Sequence, residues 1–170
     1  VLPETVAQVK LDKINSFGVN VVLHGSESGQ AESYAQSLSE ADNYYYVSPY
    51  NDLDIIAGQG TISLELIEIL GLDKIDNVFI SMGGGGLISG ISAVLKASNP
   101  KIRIWGVSAT NSCTLGDSLR VGKIIETQHQ PTLADGVSGG SDNDTITFDI
   151  CKDTVDELLW CNEDEITKSF

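Results

Sequence analysis

The chain has 170 residues and a net charge of −14, with 24 acidic against 10 basic side chains. That balance argues against nucleic acid and against anionic membrane as partners, since both need a basic face. A chain of this length buries roughly 70% of its unfolded surface, enough for a core of its own.

The acids crowd together from Asp142 to Glu165, where a solvated face is expected. No apolar run approaches the ~20 residues of a membrane span, and no signal-peptide pattern is present, so a cytoplasmic location is expected. The 3 cysteines, Cys113, Cys151 and Cys161, show no Cys-x-x-Cys spacing and read as free thiols in a reducing compartment. His24 and His129 lie far apart and suggest no metal site.

In chain order, Pro3-Glu4 ahead of Val6, Val9, Ile14 and Phe17 predicts a helix that Gly18 stops. Asn20-Val21-Val22-Leu23 predicts a short buried strand, and Ser26 to Ser39 a helix with Ala31, Ala35 and Leu38 inward. Tyr44-Tyr45-Tyr46-Val47 predicts a strand; three aromatics without basic neighbours point to packing rather than to base stacking. Pro49-Tyr50-Asn51-Asp52 is a turn, and Ile55 to Leu70 a helix. Gly58 and Gly60 near its start mean either close backbone packing or a hinge.

Asn77 to Ser81 predicts a strand, Leu87 to Ala97 a helix ended by Asn99-Pro100, and Ile102 to Val107 a second strand. Ser112 to Val121 predicts a helix, and Ile125 to Asp144 a long loop of the kind that usually carries function. Thr145 to Lys152 predicts a helix and Glu157 to Cys161 a strand. Asn162 with Glu165 has the spacing of a capping box that opens a last helix. Strands alternate with helices, so the expected class is α/β with a largely parallel sheet.

The most informative stretch is Ser81-Met82-Gly83-Gly84-Gly85-Gly86-Leu87, between the first strong strand and its helix. Glycines tolerate positive φ and have no side chain to block an approaching oxygen. Successive backbone N–H groups can then line one concavity, and the helix that follows adds its positive end. Such a cup suits a phosphate. Two common phosphate motifs fail here. Gly85 to Gly90 has Walker A spacing, but Ile91-Ser92 follows, so the required lysine is missing. Gly84-x-Gly86 is followed by Ser89 instead of a third glycine, and the next strand ends on Ser108 rather than an acid.

The glycine run resembles the tetraglycine loop of the threonine/serine dehydratase and serine racemase family, the fold-type II pyridoxal-phosphate enzymes. Ala57-Gly58-Gln59-Gly60-Thr61 with Glu65, after Pro49-Tyr50-Asn51-Asp52, is similar to that family's helix entry after a Pro-Phe-Asp-Asp turn. Leu133-Ala134-Asp135-Gly136-Val137 resembles its loop beside the cofactor ring, and Trp160-Cys161-Asn162-Glu163-Asp164-Glu165-Ile166 its later strand and capped helix.

The resemblance implies a tryptophan synthase β-like fold with pyridoxal 5'-phosphate as cofactor. Gly83, Gly84, Gly85, Gly86 and Leu87 would hold the phosphate, and Asp135, Gly136 and Val137 would approach the ring, with Gly136 sparing it a collision. The ring would act as electron sink for the Cα carbanion of a β-hydroxy amino acid, whose hydroxyl leaves as ammonia-lyase chemistry proceeds. The expected partner is therefore a small amino-acid substrate, together with a homo-oligomer or pairing with a missing part of the enzyme.

Residues 1–47 would be part of the family's small domain and 48–170 part of its large cofactor-binding domain. The family's Schiff-base lysine sits in a Ser-x-Lys segment, a context that none of Lys10, Lys13, Lys74, Lys96, Lys101, Lys123, Lys152 and Lys168 has. No catalytic residue is therefore assigned, the chain reads as a central piece of the enzyme, and alone it is expected to be inactive. Val107-Ser108-Ala109 stands where many members of that family read Val-Glu-Pro; the resemblance implies a cation role for that Glu and a later Asp in racemase-like members, and with Ser108 and Thr114 at those positions no divalent cation is expected to bind. This feature and Leu133-Ala134-Asp135 with Gly139-Gly140 are closest to the dehydratase branch linked to hydroxyectoine utilisation. The alternatives are a serine/threonine racemase and a truncated anion-binding module without chemistry.

Overall fold

The structure is a computed structural model that describes residues 1–169. Phe170, which closes the expected segment 48–170, lies outside the described residues. The chain divides into two compact units, Val1–Ser48 and Pro49–Phe170.

The first unit holds helices α1 (Gln8–Asn15) and α2 (Ser28–Asp42). The expected strand at Asn20–Leu23 does not form. Its pairing reduces to one parallel bridge between Leu2 and Leu23, with Leu2 N donating to Val22 O and His24 N to Leu2 O. A ladder needs a neighbour along its whole length, and this run has a single residue opposite it, so Val22 and Leu23 stay exposed. The strand expected at Tyr44–Val47 is likewise irregular backbone, and Tyr45 is 82% exposed. Helix α1 starts later than its apolar pattern suggests and buries no residue. In α2 Ala31 is buried, while Ala35 and Leu38 are half-buried.

The second unit is an α/β structure built on a 3-stranded parallel sheet in the order β1-β2-β3. The strands are β1 (Asn77–Ser81), β2 (Arg103–Ala109) and β3 (Glu157–Cys161), with α4 (Gly86–Ser98) joining the first two. Helices α5 (Thr114–Val121) and α6 (Ile146–Thr154) lie between β2 and β3 in the chain. Helix α3 (Leu53–Leu70) precedes the sheet and α7 (Glu163–Lys168) follows it. Phe79 pairs with Trp105, Ile80 with Gly106, and Val107 with Leu159.

The strands alternate as period two demands. Ile80 and Ile104 point to one face and join Met82, Ile88, Leu95, Leu115, Phe148 and Cys151 in the core under α4, α5 and α6. The opposite face carries Phe79, 62% exposed, stacked on Trp105, with Leu159 at 37%. Helix α3 begins at Leu53, two residues before its apolar run, because the Asp52 carboxylate accepts from Asp54 N and Ile55 N.

Close packing is the role of the glycine pair across α3 and α4. A Cβ on Gly90 would lie 2.2 Å from Ile56 O, and one on Gly60 would lie 3.1 Å from Val94 Cγ2. The helices meet backbone to backbone there, and Ser63 Oγ donates to Ile91 O across the seam.

Candidate functional site

Strand β1 ends at Ser81, and Met82 N still donates to Val107 O at 2.8 Å. From Gly83 onward the backbone has left the sheet. Each glycine that follows is pressed by a wall from another part of the chain. A Cβ on Gly83 would lie 2.6 Å from Val137 O, and one on Gly84 2.6 Å from the Tyr50 ring. On Gly85 it would lie 2.6 Å from Leu115 Cδ2 and 2.8 Å from Thr147 Cβ, and on Gly86 2.9 Å from Tyr50 Cα. Gly85 also has φ +93, which only glycine adopts without strain. Glycine is thus required at all four positions by the protein's own packing, before any ligand is considered.

The backbone donors of this run are open. Among the described residues, the N–H groups of Gly83, Gly84, Gly85 and Gly86 donate to no protein acceptor. Gly85 and Gly86 are buried, and buried backbone N–H groups are rarely left without a partner. Gly85 is the N-cap of α4, yet no side chain caps that helix, whose 13 residues direct the positive end of their dipole at the same spot. None of the side chains pressing on the glycines is charged. The concavity offers hydrogen-bond donors and a helix terminus, which is the donor set a phosphate needs.

The long loop between α5 and α6 closes around the cup. Its one ordered turn, Asp135–Val137, is a 3-10 turn that brings Val137 against Gly83. Leu87 is half-buried in the first turn of α4, against the core. Gly136 is different: a Cβ there would meet nothing within 4 Å, so protein packing gives no reason for glycine.

The loop is tied down at several points. Asn111 Nδ2 donates to Pro131 O, Gln130 N to Asn111 O, and Leu133 N to Glu163 Oε2. Ser112 Oγ bonds His129 Nδ1 at 2.8 Å and accepts from Gly139 N at 3.0 Å. At the far end, Asp142 N donates to the Tyr50 hydroxyl and Asn51 Nδ2 to Asp142 Oδ2, while Ile146 N donates to Asn51 Oδ1.

Tyr50 therefore touches the cup with its ring and the loop with its hydroxyl. Sequence reasoning took Pro49–Asp52 only as a turn and missed this. The partners lie 92 residues apart, and nothing local reveals them. It also missed Thr147, fully buried, whose Oγ1 donates to Gly84 O at 2.8 Å. The signal that could have found it was Thr145-x-Thr147 at a helix start, two hydroxyls where the N-cap needs one.

Ser108 is buried with its Oγ donating to Met82 O, and Thr114 Oγ1 bonds Thr127 Oγ1. Both hydroxyls are engaged within the protein. No group of 3 His, Cys, Asp or Glu able to hold a metal gathers among the described residues. No helix of the described residues is long and apolar enough to cross a membrane.

Burial pushes the Cys113 thiol up to about 11, helped by Asp117, which accepts its hydrogen bond. Burial does the same to Cys151, to about 11, against a weaker opposing bond with Ser89. Both stay protonated at neutral pH and are poor nucleophiles.

The family described as "Pyridoxal-phosphate dependent enzyme" matches residues 1–169. An L-threonine ammonia-lyase from Thermotoga maritima is 38% identical over 166 residues, which cover 98% of this chain and 41% of that protein. The solved structure of maize serine racemase superposes with a TM-score of 0.87 at 28% identity, covering 98% of this chain and 50% of that one. The processed form of threonine deaminase isoform 2 from Solanum lycopersicum gives a TM-score of 0.82 at 34% identity, covering 95% and 46%. The chain spans half or less of the length of the curated relatives it matches, at 41%, 32% and 50% for three of them.

Proposed function

This chain belongs to the pyridoxal-phosphate dependent enzyme family, and from that premise we propose that the protein carrying it is an ammonia-lyase acting on a β-hydroxy amino acid of the threonine or serine type. The observation that carries the reading is the row of unpaired N–H groups from Gly83 to Gly86 at the uncapped start of α4. They suit the phosphate of pyridoxal 5'-phosphate in number, burial and dipole. When bound, the cofactor's ring supplies an electron sink for a carbanion at the amino acid's Cα.

The residues described here bind and orient. Gly83 to Gly86 hold the phosphate end, and Leu87 anchors the start of α4 in the core. Asp135–Val137 lies against Gly83, and with the space beside Gly136 open it would form a wall for the cofactor's ring. Fixing the phosphate end sets the distance from the reacting carbon to the groups that move protons, which is where positioning is worth most. No proton transfer is assigned to any of these residues.

A second reading, a serine/threonine racemase, is favoured by the likeness to maize serine racemase. Product analysis separates the two. The full-length protein with pyridoxal phosphate is given L-threonine and L-serine. The lyase reading expects keto acid and ammonia in equal amounts. A D-amino acid as the main product would move the assignment to racemase, and neither product from either substrate would overturn both.

A further inference from the structure

Resting on the reading of the cup as a phosphate site, we propose that Thr145 and Thr147 are positioning residues for that phosphate. Their hydroxyls fix the orientation of the Gly84–Gly85 peptide and so aim the Gly85 N–H into the cup.

The argument is one of proton counting. Thr147 is fully buried, and its Oγ1 donates to Gly84 O at 2.8 Å. A hydroxyl has one hydrogen, so in its 2.8 Å bond with Thr145 Oγ1 the Thr147 oxygen accepts and Thr145 donates. Thr145 Oγ1 in turn accepts from Thr147 N. The chain of donors therefore runs in one direction, from the backbone of α6 through two hydroxyls to the Gly84 carbonyl. No peptide bond is cis, so the Gly85 N–H points opposite to that carbonyl, away from Thr147.

This orientation needs holding. A peptide flanked by glycine on both sides rotates at little steric cost, because neither neighbour has a Cβ to resist. The other walls here, the Tyr50 ring at Gly84 and the Leu115 methyl at Gly85, are apolar and cannot tell a carbonyl from an N–H. Rotated by half a turn, the peptide would present its oxygen to the phosphate and repel it. The Thr147 hydroxyl distinguishes the two orientations through its partner: to accept from a turned Gly85 N–H it would have to donate to Thr145 Oγ1, and the Thr145 hydrogen would lose the acceptor it now has. The hydrogen-bond chain behind it also polarises the peptide and strengthens its N–H as a donor.

The test uses the full-length protein. Pyridoxal-phosphate affinity is measured by fluorescence titration, the phosphorus-31 resonance of the bound cofactor is recorded, and melting of the cofactor-free form is followed. Thr147→Val is expected to weaken affinity about tenfold and to shift the resonance. Thr147→Ser keeps the hydroxyl and should return affinity to within about twofold of the parent. Ser92→Ala is the control for a merely structural effect. It breaks a part-buried 2.7 Å bond to Thr154 that joins the same two helices, α4 and α6, away from the glycine run. It should lower the melting temperature and leave affinity and resonance unchanged.

If Thr147→Val does not fold, Thr145→Val removes the outer hydroxyl alone and is expected to weaken affinity about threefold. Gly85→Asp runs alongside. Unchanged affinity in Thr147→Val or Thr145→Val, with Gly85→Asp weakened, overturns this inference and leaves the cup standing. Unchanged affinity in Gly85→Asp overturns the cup and this inference together.

Discussion

Two helices start from the same end of the same sheet and are finished in opposite ways. Helix α7 leaves β3 through Asn162, whose side chain accepts from Glu165 N while Glu165 Oε2 accepts from Asn162 N, a complete capping box. Glu163, Asp164 and Glu165 add negative charge to its first turn. Helix α4 leaves β1 through four glycines, with no side-chain cap and no acid in its first turn. One start is satisfied from within the chain; the other is left open although it is the more buried. Since an orphaned helix start costs stability, its persistence at a buried place points to a partner the protein does not itself supply.

Giving α4 the carboxylate that α7 already has should have the largest effect. Gly85→Asp places a negative side chain at the N-cap, where it competes for the same N–H groups and repels a phosphate. Cofactor affinity should fall about a hundredfold or more, measured by titration of the full-length protein. Parent-like affinity would remove the distinction between the two helix starts.

Gly83→Ala comes next. Its Cβ would meet Val137 O at 2.6 Å, so the Asp135–Val137 turn must move, at a cost of about 1–3 kcal/mol seen by denaturant melting. Opening α7 instead, with Asn162→Ala, should cost about 1 kcal/mol and leave cofactor affinity untouched. An affinity loss in that variant would mean that the two starts are coupled.

Asp156 supplies a smaller, pH-dependent contrast at the opposite end of the strands. Burial pushes its carboxyl up, but the Lys96 hydrogen bonds, the Ile104 N–H and the charges of Lys96 and Arg103 outweigh that and hold it below the usual carboxylate range. A depressed pKa stabilises the fold above the unfolded value and loses that contribution as pH falls through the folded one. Asp156→Asn should therefore cost about 1 kcal/mol at pH 7, discounted for partial exposure, with the difference fading below about pH 4. A gap that persists at pH 2 would refute the assignment.

The capping box was readable because both halves of it lie within four residues, and the sequence pattern alone describes the geometry. Strands β1 and β3 were readable to the residue for a similar reason, as apolar runs sharply bounded by polar ones. The cup was readable as a loop of glycines, but not for the reason the structure gives. Sequence suggests glycines that spare an incoming oxygen; the structure shows each one also pressed by Val137, Tyr50, Leu115 or Thr147. Those walls come from distant parts of the chain and carry no local mark. Asn20–Leu23 and Tyr44–Val47 misled for the converse reason. Their composition suits a strand, but strand formation depends on a neighbour that composition does not report.

The hydroxyl that steadies the cup has a consequence for the order in which the protein is made. Gly84 and Thr147 are 63 residues apart, and Tyr50 is 92 residues from Asp142. The glycines leave the ribosome after Tyr50 but well before Leu115, Val137 and Thr147, which also brace them, and contacts of such separation form late. A newly made β1–α4 segment thus carries the donors without their orientation, and competence to bind arrives only once α6 has docked. The cofactor should then act as a lock on the finished fold, slowing its unfolding by mass action and leaving the rate of folding unchanged.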